Sequence, residues 1–161
     1  MFDCKGCKDS CCSRKTIGLN RGDLLRINEV INDNILKYII FREDIQGRTV
    51  KGNKYKGVLA LREINGSCIF LKNELCSIYT NRPLSCRMYP YNPIFTEGKN
   101  GYDLKIEVDN TCKEIKKGKC FKVKQTALQW RNERLEYDKL VFKWNKKKDR
   151  NLIKFVKGLL K

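Results

Sequence analysis

Histidine is absent from all 161 residues, and this absence removes whole classes of chemistry. Zinc sites built on imidazole, Ser-His-Asp and Cys-His hydrolases, and any imidazole acid or base are excluded. A metal held by this chain must rely on thiolate, with carboxylate, backbone carbonyl or water as minor ligands. Sulfur donors of that kind favour zinc and iron–sulfur clusters over calcium or magnesium. The opening MFDCKGCKDS lacks a basic n-region, an apolar core and a cleavage site, so it does not read as a signal peptide. No run approaches the ~18 continuous apolar residues of a membrane span. A cytoplasmic setting is therefore expected, where reducing buffers keep ordinary thiols reduced. Disulfides are the lesser alternative, because hyperthermophile cytosols tolerate them. Proline is scarce too: Pro83, Pro90 and Pro93 are the three present, so one short stretch has a fixed backbone.

What the chain has in excess is cysteine. The nine thiols stand at positions 4, 7, 11, 12, 68, 76, 86, 112 and 120. Cys4 and Cys7 form a C-x2-C pair, whose tight turn lets two sulfurs converge on one ion. It is the single pair of that spacing, so a two-knuckle zinc ribbon is not indicated, and the ferredoxin run C-x2-C-x2-C-x3-C-P is not matched either. Cys11 and Cys12 are adjacent, and adjacent side chains diverge on a helix and oppose each other on a strand. They serve two sites, or one ligates while the other packs. Their long-range partners would be Cys68, Cys76, Cys86 and Cys112, folded in around the entry segment. The remaining thiol, Cys120, reads as buried filler.

Basic residues outnumber acidic ones by 35 to 18, a formal charge of +17. A zinc ion with four thiolates is a dianion, so part of this excess balances such a centre. The rest favours an acidic partner, with protein ahead of nucleic acid. Lys5, Lys8, Arg14 and Lys15 surround the entry thiols and Arg82 and Arg87 flank Cys86, where positive charge stabilises metal-bound thiolate. Arg82 equally suits a carboxylate or a carbonyl beside Pro83. Tyr89 and Tyr91 read as packing over the site.

The pattern along the chain is α+β: a small cysteine-rich metal-binding domain over residues 1–120, with short hairpins and helices, and a basic helical extension over 121–161 packed on it. LNRGDLLRINEVI reads as a helix with Asp23 near its start. NDNILKYIIF either extends it or begins a strand. VLALREINGSCIFL predicts a hairpin about Asn65-Gly66, which delivers Cys68 just after the turn. IFTEGKNGYDLKIEVD reads as a second hairpin ending before Cys112. Beyond Phe121 an uninterrupted helix is expected, with Leu128, Leu135, Val141 and Trp144 on its packing face. Arg131, Arg134, Lys139 and Lys143 would face an acidic partner, and Trp130 and Trp144 with their basic neighbours also suit stacking on single-stranded nucleic acid. NLIKFVKGLLK closes the chain as a packing helix. No internal repeat of useful length is evident.

The blocks CKGCKDSCC, DLLRI, GSCIFLKNELCSIYTNRPLSCRMYPY and NTCKEIKKGK resemble the CxxCxxCC (YkgJ-type) family of zinc- or iron-chelating domains, from Cys4 to about Gly118. The resemblance implies Cys4, Cys7, Cys11, Cys12, Cys68, Cys76, Cys86 and Cys112 as the metal-binding set, with Cys120 extra. Lys113-Glu114 stands where the family pattern has Pro-Gly. The family is similar to the cysteine-rich part of flagellin lysine N-methylases, for which an iron–sulfur centre is implied. The expected function is therefore a metal-binding protein holding an iron–sulfur cluster, of the 4Fe–4S type, or zinc, in support of a redox or protein-modification reaction. Two alternatives are a lysine N-methylase-like enzyme and a basic nucleic-acid-binding module with structural zinc.

Overall fold

A computed structural model describes Cys12, residues 15–98, 101–110, Cys112 and residues 120–161, with backbone alone at 120 and 121. Its architecture is α+β. The first regular element is helix α1, Arg21–Asn28. It starts where a capping box can form: the Asn20 side chain accepts the Asp23 N–H at 3.0 Å, and the Asp23 carboxylate accepts the Asn20 N–H at 3.2 Å. The stretch whose periodicity left helix and strand open makes a 3-10 turn, Ile35–Lys37, and then strand β1, Ile39–Arg42.

Strands β2 (Thr49–Lys51) and β3 (Lys56–Leu61) complete a three-stranded antiparallel sheet in the order β1-β3-β2. β2 covers one edge of β3 as far as Val58, which leaves the rest of that edge open. The chain entering the fold fills it: Leu19 donates to the Leu59 carbonyl at 2.8 Å, and Leu61 donates to the Ile17 carbonyl at 2.9 Å. The segment that follows the first cysteines is thereby stitched to the sheet.

Two small hairpins come next. β4 (Glu63–Ile64) pairs with β5 (Ser67–Cys68) about Asn65-Gly66, as the Asn-Gly signal predicts, with φ of 51° and 76° at the turn. β6 (Leu71–Lys72) pairs with β7 (Leu75–Cys76) about Asn73-Glu74, with φ of 49° and 63°. The hairpins repeat at eight-residue spacing, and each is closed from behind by the same bond: Ile69 N–H to the Arg62 carbonyl, then Ser77 N–H to the Phe70 carbonyl. The repeat is not evident in the sequence because Asn-x-x-Cys is all that the two copies share.

Helix α2, Leu84–Met88, follows buried Pro83. β8 (Tyr91–Gly98) and β9 (Gly101–Val108) form the long hairpin expected before Cys112. Helix α3, Cys120–Asn145, and helix α4, Leu152–Leu159, close the chain.

The face that α3 buries includes the predicted Val141 and Trp144 but not Leu128 or Leu135. Val123, Ala127, Tyr137, Val141 and Trp144 point inward, whereas Leu128 and Leu135 are 36% and 45% exposed. The buried positions follow the alternating three- and four-residue steps of a helix seam. Leu128 and Leu135 lie one heptad apart on a separate stripe. Leu24, Ile27, Ile39, Val50, Leu59 and Phe70 share one hydrophobic cluster with Tyr137, Val141, Trp144, Phe155, Val156 and Leu159. α4 packs through Phe155, Val156 and Leu159, as its pattern predicts.

Candidate metal centre

Five of the eight candidate ligands fall among the described residues, and Cys4, Cys7 and Cys11 lie outside them. Cys68 and Cys76 occupy equivalent places, each the last residue of a six-residue hairpin. Cys68 stands opposite Glu63, and Cys76 stands opposite Leu71. Both are half-buried and pack against the hydrophobic cluster. A two-residue turn with positive φ at both central positions fixes strand register, so each sulfur is carried at a set distance past its turn. Cys86 is the third residue of α2 and half-buried, and Cys112 is 5% exposed. Cys12 is half-buried at the entry.

Among the described residues no three Cys, Asp or Glu side chains gather closely enough to hold a metal ion. What the structure does bring together is the set of segments that carry the thiols, and Lys15 and Thr16 are the joints. The Lys15 ammonium pairs with the Asp109 carboxylate and sits 4.1 Å above the Tyr89 ring. Asp109 in turn accepts the Cys112 N–H at 3.2 Å and donates its own N–H to the Pro90 carbonyl at 2.8 Å. Tyr89 caps the end of the helix that carries Cys86. Thr16 donates to the Glu63 carboxylate, across the strand pair from Cys68, and Arg42 donates to both Thr16 and Glu63 at 3.1 and 3.0 Å. Three and four residues after Cys12, at Lys15 and Thr16, the chain is thus tied to the segments of Cys68, Cys86 and Cys112.

Helix α2 is anchored from below. The Asp23 carboxylate, 1% exposed, accepts the Leu84 N–H at 3.0 Å and an Arg26 N–H at 2.6 Å. Burial pushes the Asp23 carboxyl above its ordinary range, against the opposing pull of the Leu84 N–H and of Arg26. Arg26 also grips Glu133 of α3 with two parallel bonds, at 2.7 and 2.8 Å. Burial alone would raise Glu133, but hydrogen bonds from Arg26 and Gln129 outweigh it and hold the carboxyl low. Gly22 makes room for this contact: a Cβ there would stand 2.2 Å from a Glu133 oxygen.

The arginines beside Cys86 have structural duties. Arg82 is 3% exposed and lies 3.9 Å over the Tyr79 ring. Arg87 donates to the carbonyls of Arg82 and Thr80, at 3.1 and 2.6 Å, which closes the turn before α2. Burial and the nearby charges of Arg26 and Arg82 lower its pKa.

The C-terminal aromatic and basic residues are also engaged within the chain. Trp144 is buried, donates to the Lys51 carbonyl at 3.0 Å and packs on Phe155. Trp130 stacks with Phe95 of β8, and Arg131 lies 3.8 Å over the Tyr102 ring of β9.

Sequence reasoning missed Lys15 and Asp109 as joints, because residues so far apart in the chain leave no local pattern. It also missed the second hairpin, although the recurrence of Asn-x-x-Cys at 65–68 and 73–76 was a usable signal.

With this geometry in hand, the comparisons with known proteins are specific. A family model described as "CxxCxxCC: Putative zinc- or iron-chelating domain" matches residues 3–127. An uncharacterized protein of Methanocaldococcus jannaschii, MJ0661, is 36% identical over 95 residues, which cover 55% of this chain and 44% of that protein. The match thus spans less than half the length of this relative. No solved structure matches the chain.

Proposed function

The chain belongs to the CxxCxxCC family of zinc- or iron-chelating domains, and from that premise we propose that its cysteine thiolates hold an iron–sulfur cluster of the 4Fe–4S type, with zinc as the second candidate. The ligands are drawn from Cys4, Cys7, Cys11, Cys12, Cys68, Cys76, Cys86 and Cys112. The observation that carries this reading is the convergence at Lys15 and Thr16, which ties the chain just after Cys12 to three distant cysteine segments. The donor set fits the group: thiolates are soft, the chain has no histidine, and among the described residues no cluster of carboxylates competes with them.

When bound, an iron–sulfur cluster supplies one-electron redox chemistry, and zinc supplies structural cross-linking. The chain's own residues set the surroundings. The paired hairpins present Cys68 and Cys76 at fixed register against the core, Asp23 holds the start of the Cys86 helix, and the Asp109 turn buries Cys112. A metal bridge between the entry and these segments would make the entry fold with the rest, because metal-binding free energy is folding free energy in such sites. The role is to assist a redox or protein-modification reaction of an acidic protein partner. The exposed Lys124, Lys139 and Lys143 along α3, with Lys146 just past its end, are the surface offered to it.

The test is anaerobic purification with a visible spectrum and quantitative iron, sulfide and zinc on one sample. Brown protein with iron and matching sulfide is the expected result. Stoichiometric zinc in colourless protein would replace the cluster by a structural site, and the absence of both metals would overturn the reading.

A further inference from the structure

A cavity of about 200 Å³ lies between the entry strand, the loop at 46–48 and one face of α3. Its lining includes Gly18, Arg48, Ser85, Arg134, Tyr137 and Asp138. Three polar atoms of these residues are buried without a hydrogen-bond partner among the described residues: the Ser85 hydroxyl, the Tyr137 hydroxyl and the Asp138 Oδ1 oxygen. Orphaned polar atoms are costly and uncommon in folded proteins, so three beside one cavity ask for a common explanation. Ordered water would satisfy them, and so would a ligand.

We propose that this cavity binds a small carboxylate that also carries an amino or hydroxyl group, a molecule of free amino acid size. The chemistry of the lining selects that class. Arg48 is neutralised by Asp138 Oδ2 at 3.0 Å, and Asp23 is taken up by Arg26, Leu84 and Asn20. Arg134 makes no ion pair among the described residues, and its guanidinium carbon lies 5.2 Å from the Trp130 ring. One positive charge is left over, which calls for an anion. The Asp138 Oδ1 atom accepts only, so the ligand must also carry a donor.

Tyr137 and Ser85 supply neutral hydroxyls to share the carboxylate with Arg134. Burial, then the neighbouring charge of Asp138, keep the Tyr137 phenol protonated, so it remains a donor at neutral pH. Size sets the upper limit: the cavity falls below the roughly 300–1,000 Å³ of sites for drug-sized ligands. A nucleotide is therefore excluded. Gly18, Gln46, Gly47, Arg48 and Arg134 are the exposed members of the lining and Tyr137 is a buried one, so a ligand would enter from the side where the 46–48 loop and Arg134 stand. The inference does not depend on the metal centre.

The experiment is calorimetric titration of the full, metal-loaded chain at pH 7 with L-alanine, L-serine and L-lactate, beside propionate and isopropylamine as the two halves of the motif. Saturable binding of at least one amino- or hydroxy-carboxylate is expected, with each half at least about tenfold weaker. Tyr137→Phe and Arg134→Gln should each weaken that binding about tenfold. Tyr137→Phe should also melt no lower than the parent, since its hydroxyl gives up no partner. Arg134 is exposed, so its variant tests the site even if the Tyr137 variant folds poorly. No saturable binding by any of the three carboxylates would overturn the proposal. So would halves that bind as well as the whole, or affinities that neither variant changes.

Discussion

The buried Asp23 carboxylate of α1 accepts the Leu84 N–H at 3.0 Å, so one side chain fixes the start of the helix that carries Cys86. Removing it leaves the Leu84 N–H unsatisfied and strips Arg26 of one of its two acidic partners. Asp23→Ala should lower unfolding free energy by about 3 kcal/mol or more, as expected when a buried charge pair loses one member. Urea denaturation measures this, and a loss below about 1 kcal/mol would show that the carboxylate is not the anchor.

The Arg26–Glu133 pair makes an acid-limb prediction. The folded Glu133 carboxyl titrates below its ordinary 4.5, so its contribution is present above that value and is lost as pH falls through the lower folded one. The stability difference between the parent and Glu133→Gln should be constant from neutral pH down to about 5 and shrink below 4.5. Urea midpoints of both proteins over that range give the answer. A difference that grows on acidification would contradict the pairing.

Lys15 should matter more to metal binding than to stability. Its ion pair with Asp109 is partly exposed, and such pairs contribute about 1 kcal/mol at most. Under the proposed ligand set, its position between the segments of Cys12, Cys86 and Cys112 gives it the part of an outer-shell partner, whose loss would cost roughly 10–100-fold in metal affinity. Lys15→Met should show that loss in a chelator competition, and Lys15→Arg should recover part of it. Equal affinities in all three proteins would remove Lys15 from the site while leaving metal binding itself intact.

The thiols separate by role. Cys7→Ser or Cys76→Ser should lose metal and folded structure together, since metal binding and folding are one equilibrium in such sites. Cys120→Ser should keep both. Metal analysis with far-ultraviolet circular dichroism on each variant distinguishes these outcomes, and metal retained in both Cys7→Ser and Cys76→Ser would refute the ligand set.

Glu74 adopts φ of 63° in the turn before Cys76, a conformation that favours glycine. Glu74→Gly should stabilise the protein by roughly 0.5–1 kcal/mol, offset in part by the larger entropy of the unfolded chain. Gly66, at φ of 76°, is the mirror case: Gly66→Ala should destabilise by about 1 kcal/mol although no atom lies within 4 Å of the added Cβ. Denaturant midpoints that move the other way would mean that backbone conformation does not govern these turns.

Much of this protein was legible in its residues. The lack of histidine and the nine cysteines make sulfur the main donor, and the spaced blocks around them carry the family likeness. Asn65-Gly66 specified its hairpin, and NLIKFVKGLLK its amphipathic helix, because turn dihedrals and helical periodicity are local properties written in adjacent residues. Two features were decided only by the tertiary structure. Helix α3 has two apolar stripes, and periodicity does not say which will meet the sheet; packing placed Tyr137, Val141 and Trp144 inside and left Leu128 and Leu135 outside. The pairing of Lys15 with Asp109 spans 94 residues. Such a contact has no counterpart in local spacing, and it exists because the entry strand fills the open edge of β3 and carries Lys15 to the far end of the β8–β9 hairpin.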